Sequence, residues 1–78
     1  MKRKQTEMRI EIFKLLWCKI RFWQSLRDVS DSDLAEDLGV GVRTLKDYDQ
    51  CAKNITLEKL DNFLFLNQMT LTDLLELK

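Results

Sequence analysis

Residues 30–50 read S-D-S-D-L-A-E-D-L-G-V-G-V-R-T-L-K-D-Y-D-Q, and the punctuation of this stretch decides the fold. Ser30 is a preferred helix N-cap because its hydroxyl accepts a first-turn amide that has no carbonyl partner. Asp33, three residues on, completes something close to a capping box. Leu34, Ala35 and Leu38 then form one short apolar face, and Gly39 follows where a left-handed residue ends a helix. These signals predict a helix over 31–38. Gly41 is a tolerable second N-cap, slightly worse than Ser or Thr. Beyond it Leu45 and Tyr48 face inward, while Arg43, Lys46, Asp47 and Gln50 fall outside, which predicts a helix over 42–50. Ala35 supplies the small residue two steeply crossing helices need where they touch. Leu34, Leu38, Val40, Leu45 and Tyr48 lock the corner, a helix-turn-helix that projects the start of its second helix outward.

The flanks extend the helical pattern. Residues 6–27 carry Ile10, Phe13, Leu16, Trp17, Ile20 and Trp23 on one stripe and Ile12, Leu15, Phe22 and Leu26 on an adjacent one. Met8 to Ile12 also alternates with period two, which leaves a short strand open there, but the pattern after Phe13 favours helix. Two stripes on one helix demand a partner, either the domain's own core or a second subunit. Downstream, Thr56 caps a helix bearing Leu57, Leu60, Phe63 and Leu64. Thr70, with Asp73 at the third helical position, caps another bearing Leu71, Leu74 and Leu75. With no proline, two glycines and no repeats, the expectation is an all-α chain of five helices with an extended N-terminal helix.

Length and composition bound what such a chain does. Seventy-eight residues, 45% hydrophobic and 33% charged, suit one ordinary globular domain with a small core. Lys14, Lys19 and Arg21 interrupt the apolar run at 10–23, so neither a membrane span nor a secretory signal is expected. Cys18 and Cys51 lack metal-ligand spacing and suggest reduced thiols in the cytoplasm. There is no His, Gly-rich phosphate loop or nucleophile–base pattern, so no enzyme, cofactor, metal or small-molecule substrate is expected. The charge is neutral overall yet divided. Residues 1–27 hold eight Lys/Arg against Glu7 and Glu11, a balance of +6, and residues 28–78 hold five against eleven acids, a balance of −6. The basic third suits nucleic acid or another acidic surface, or else is a solvated helix face.

Three segments resemble the Xre/Cro-like family of phage-repressor helix-turn-helix domains. They are V-S-D-S-D-L-A-E-D-L-G-V at 29–40, R-T-L-K-D-Y-D at 43–49, and the later T-L-E-K-L and M-T-L-T-D-L-L. The resemblance covers roughly residues 20–75. It implies a repressor-like five-helix domain at 20–78 preceded by a basic, apolar helical extension at 1–19. It further implies a DNA-binding transcriptional regulator that places its third helix in a major groove of double-stranded DNA.

Carried onto this chain, the base-reading positions are Gly41, Val42, Arg43, Thr44, Lys46 and Asp47. Arg43 suits guanine, Val42 a thymine methyl and Asp47 a cytosine amine. Amides near Ser30 and Asp31 would hold a phosphate, and Lys53 and Asn54 would touch the backbone. A homodimer through the N-terminal helix is the expected assembly.

The departures from the family pattern are specific. Cys51 stands where Gly is usual, which implies a strained or differently shaped turn. Gln24 and Asp49 occupy the positions of a usual Arg–Glu pair, which implies a hydrogen bond in its place. Asn67 stands where a buried Leu is usual, and a register shift would substitute Leu66. Asp31, Asp33, Asp47 and Asp49 set negative charge where phosphates would lie. Those acids suit a second reading, a protein-interaction module that keeps the fold and has lost DNA affinity. A third places the basic N-terminal helix on an anionic membrane surface.

Overall fold

The computed structural model describes residues 11–78, which form five α-helices and one 3₁₀ turn, with no strand among the described residues. The helices are α1 (Ile12–Arg27), α2 (Asp31–Leu38), α3 (Val42–Gln50), α4 (Leu57–Leu66) and α5 (Leu71–Leu75), with the 3₁₀ turn at Ala52–Asn54 between α3 and α4. The expected helical and strand-like readings of residues 6–10 lie outside the described residues. Ile12, the last residue of the alternating stretch, is helical.

Each helix begins and ends for a local reason. The Ser30 hydroxyl accepts from the Asp33 amide at 3.1 Å, so half of the expected capping box forms at α2. Thr56 caps α4 in the same way at 3.2 Å. The complete box is at α5, where Thr70 accepts from the Asp73 amide and the Asp73 carboxylate accepts from the Thr70 amide. α1 stops at Asp28, whose backbone is left-handed at φ 54°, a region that Asp enters more readily than most residues. α2 stops at Gly39, at φ 77°, and the Val40 amide reaches back to the Ala35 carbonyl at 2.9 Å. Cys51, after α3, is extended, so the turn there is differently shaped but not strained. The missing Gly is answered by a 3₁₀ turn instead of a left-handed residue.

The core is a single cluster. Ile20, Leu34, Leu38, Leu45, Phe63 and Leu74 are fully buried, so all five helices contribute. Trp17 meets Tyr48 edge-on with ring centres 5.2 Å apart, joining α1 to α3. Trp23 meets Phe63 edge-on at 4.9 Å, joining α1 to α4. Ala35 is buried in the α2–α3 corner. α1 therefore uses Leu16, Trp17, Ile20 and Trp23 for the core and leaves Ile12, Phe22 and Leu26 exposed. The helix runs unbroken across residue 19, and Leu16 and Trp17, ahead of that position, belong to the core.

At the end of α4, Leu66 is 58% exposed and does not replace the missing leucine. Asn67 stays in its place, half-buried, because its amide donates to Asp37 Oδ2 at 3.0 Å and to the Phe63 carbonyl at 2.8 Å. A polar side chain at that corner is acceptable once its donors are satisfied. No helix among the described residues is long and apolar enough to cross a membrane.

Candidate nucleic-acid interface

The α2–Gly39–α3 corner holds α3 by one face only. Leu45 and Tyr48 are buried beneath it, while Gly41, Val42, Arg43, Lys46 and Asp47 are exposed and Thr44 is half-buried. The structure thus brings the six expected base-reading positions together on the first two turns of α3. Val42, 40% exposed, is an apolar contact point beside Arg43. Among the described residues, Arg43 and Lys46 enter no ion pair.

The other expected positions sit apart from this edge. Lys53 and Asn54 lie exposed on the 3₁₀ turn beyond α3, with Lys53 Nζ 3.6 Å from Glu11 Oε2. Ser30 is exposed, but its hydroxyl is engaged by the Asp33 amide. Asp31, in the first turn of α2, is engaged too, by a cluster that sequence reasoning missed.

That cluster centres on Arg21. Its Nη2 and Nε donate to the two carboxylate oxygens of Asp49 at 2.8 and 3.1 Å, and its Nη1 donates to Asp31 Oδ1 at 2.9 Å. Nη1 also reaches Gln24 Oε1 at 2.7 Å, and the guanidinium carbon lies 5.3 Å from the centre of the Trp17 ring. The Trp17 indole donates to Asp49 at 2.7 Å, and the Gln24 amide donates to Asp31 at 2.7 Å and to the Val29 carbonyl at 3.1 Å. The pairing expected between Gln24 and Asp49 is therefore corrected: Arg21, one turn earlier on α1, takes Asp49, and Gln24 takes Asp31. One cation joins the middle of α1, the start of α2 and the end of α3, with the bidentate geometry that a planar guanidinium allows. A signal was present in the sequence. Trp17, Arg21 and Gln24 share one flank of α1 at helical spacing, and Arg21 is the basic residue within one turn of both others.

The cluster changes the electrostatics of the corner. Hydrogen bonds from Arg21, helped by the Trp17 indole and opposed by partial burial, hold the Asp49 carboxyl below its ordinary range. Asp31 is lowered first by the Gln24 amide and then by Arg21. Arg21 is held more firmly protonated by Asp49. Burial, with the nearby Asp47 charge, pushes the Tyr48 phenol up. Two of the four acids expected to repel phosphate are thus tied to one guanidinium, whereas Asp33 and Asp47 remain exposed outside the cluster.

Beside it, an open groove of about 780 Å³ runs between the start of α1 and the end of α3, with Trp17 and Tyr48 in its walls and both Cys18 and Cys51 on its sides. Both thiols are free and exposed. No group of three or more His, Cys, Asp or Glu is placed to hold a metal ion among the described residues. No family model, curated protein sequence or solved structure matches this chain.

Proposed function

We propose that this chain is a sequence-specific DNA-binding regulator of the phage-repressor, Xre/Cro-like type, most simply a repressor. α3 enters the major groove and reads base edges. The observation that carries this reading is the outward edge of α3, where Arg43 and Lys46 stand exposed beside the apolar Val42 on a helix braced from behind by Leu45 and Tyr48. Arg43 donates to guanine O6 and N7, Val42 packs on a thymine methyl, and Asp47 accepts from a cytosine amine. Lys53 and Asn54 meet the phosphate backbone. The Arg21 cluster supports the reading because its positive charge offsets part of the negative charge that Asp31 and Asp49 would otherwise present to phosphate. A dimer through the N-terminal helix would set two α3 helices about one DNA turn, roughly 34–36 Å, apart. Such a protein acts in the cytoplasm.

A second reading, a helix-turn-helix module that binds protein instead of DNA, is favoured by one observation: Asp33 and Asp47 remain exposed without a cationic partner among the described residues.

Selection of bound duplexes from a random pool separates the two. Recovery of a palindrome, bound with an affinity that falls steeply with salt, supports the DNA reading. Recovery of no preferred sequence at low salt, with no binding to bulk DNA, transfers the proposal to the protein-binding reading.

A further inference from the structure

The chain's two cysteines lie far apart in sequence, yet both line the groove between α1 and the end of α3. α1 gives that groove Glu11, Lys14 and Cys18, which recur at i, i+3 and i+7 and so share one flank of the helix. The opposite wall is the chain from Tyr48 to Lys53, which leaves α3, passes Cys51 and enters the 3₁₀ turn. Contacts on both sides of the cysteines set the two walls against each other. Asp49 accepts from the Trp17 indole at 2.7 Å and from Arg21 at 2.8 Å, and Lys53 Nζ lies 3.6 Å from Glu11 Oε2. Cys51 falls between Asp49 and Lys53 on one wall, and Cys18 falls between Glu11 and Arg21 on the other.

Neither thiol belongs to the buried core, so packing does not account for them. A free cysteine is ordinarily among the most buried of side chains, and here both are exposed on one groove, open to a small oxidant. Their backbones differ. Cys18 sits within α1, whereas Cys51 is the one residue between α3 and the 3₁₀ turn, extended at φ −159° and ψ 115°. The Cys51 joint is therefore the place where the groove closes without a helix being unwound.

We infer that Cys18 and Cys51 are a reversible redox pair, which hydrogen peroxide oxidises to a disulfide that closes the groove and ties α1 to the end of α3. One thiolate attacks a peroxide oxygen, the O–O bond breaks, and the sulfur becomes a sulfenic acid as the other oxygen leaves as water. The second thiolate attacks that sulfur, the S–S bond forms, and the sulfenic oxygen takes a proton and leaves as water. The two thiols lose two electrons to the peroxide, and their two protons end in the water. A thiol reductant restores the pair by exchange. In a reducing cytoplasm such a bond is transient, which suits a sensor and not a permanent staple. Its effect is mechanical, because Cys51 directly follows α3 and the bond would fix that end of the helix to α1. The inference concerns the groove and stands whichever partner α3 meets.

Equilibration of the full chain with mixtures of reduced and oxidised glutathione tests it, with mass spectrometry reading the species formed. The folded protein should gather in the internal Cys18–Cys51 disulfide, with an effective thiol concentration about tenfold or more above that of the same chain in urea, because the fold sets the two sulfurs on one groove. Hydrogen peroxide at low protein concentration should give the same product, and a dithiol should reverse it. Cys18→Ser with Ser25→Cys keeps two thiols but moves one of them two turns along α1, beyond the groove. Its effective concentration when folded should fall to the unfolded value or lower, with circular dichroism confirming that the helices remain. An effective concentration no higher in the folded parent than in urea overturns the inference, since the fold would then hold the thiols apart. So does bonding in the Ser25→Cys variant as strong as the parent's. A peroxide product that is a linked dimer or a sulfinic acid, in place of the internal disulfide, overturns it equally.

Discussion

Replacing Gly39 with Ala isolates the conformational requirement of the turn that aims α3. Gly39 sits at φ 77°, where a side chain strains the backbone. A Cβ at that position would meet Asn62 Nδ2 at 3.9 Å, ordinary van der Waals contact, so no clash adds to the cost. The left-handed conformation itself costs an L-residue about 1–2 kcal/mol. Alanine also restricts the unfolded chain, which offsets roughly 0.4–1 kcal/mol of that. The net expectation is a loss of about 1 kcal/mol, or roughly 4–8 °C in Tm for a domain of this size. Gly39→Asn should lose less, since Asn tolerates the left-handed region.

Gly41→Ala is the matched control. Gly41 has φ −83°, and a Cβ there would find nothing within 4 Å, so its change should lie near neutrality. Thermal and urea unfolding followed by circular dichroism read all three. The reasoning is refuted if Gly39→Ala is as harmless as Gly41→Ala, or if Gly39→Asn costs as much as Gly39→Ala. A loss above about 3 kcal/mol would point to a packing defect instead.

Four further outcomes are expected. Arg21→Met should cost about 1 kcal/mol through the partly exposed Asp49 pair alone. The folded carboxyls of Asp31 and Asp49 lie below the ordinary 3.8, so the stability they supply is present above that pH and is lost as pH falls through the folded values. The difference between parent and Arg21→Met in urea titrations should accordingly shrink as pH drops below about 4, and a constant difference would count against the cluster. Phe63→Ala removes a fully buried ring beneath Trp23 and should cost about 3–5 kcal/mol, read by the same titrations. On a selected DNA site, Arg43→Ala should cost about 1–3 kcal/mol and relax preference at one base pair per half-site, and binding unchanged on selected and scrambled DNA would exclude base reading. Lys53→Ala should weaken all duplexes alike and lower the salt slope by about one, less if Glu11 already screens the charge.

Sequence alone determined the local elements. Ser30, Thr56 and Thr70 are caps whose hydroxyls act within three residues, and Gly39 meets a backbone requirement of its own position. Such signals need no knowledge of distant chain, so the bounds 31–38 and 42–50 and the outward set from Gly41 to Asp47 were legible. The core positions of α1 were legible as one of two stripes, but which stripe would be covered was decided by where α3, α4 and α5 pack against it. The Arg21 cluster depended on tertiary structure in the same way. A long guanidinium reaches either neighbour of its own helix, and only the crossing of α1 over the α2–α3 corner brings Asp31 and Asp49, 10 and 28 residues away, within its span. Leu66 and Asn67 show the reverse case. Hydrophobicity alone favours burying Leu66, yet the corner keeps Asn67 because Asp37 and the Phe63 carbonyl, brought there by the fold, satisfy its amide. Caps and periodicity act over a turn of chain, whereas side-chain partners are chosen by the elements that happen to meet, and that choice belongs to the packed structure.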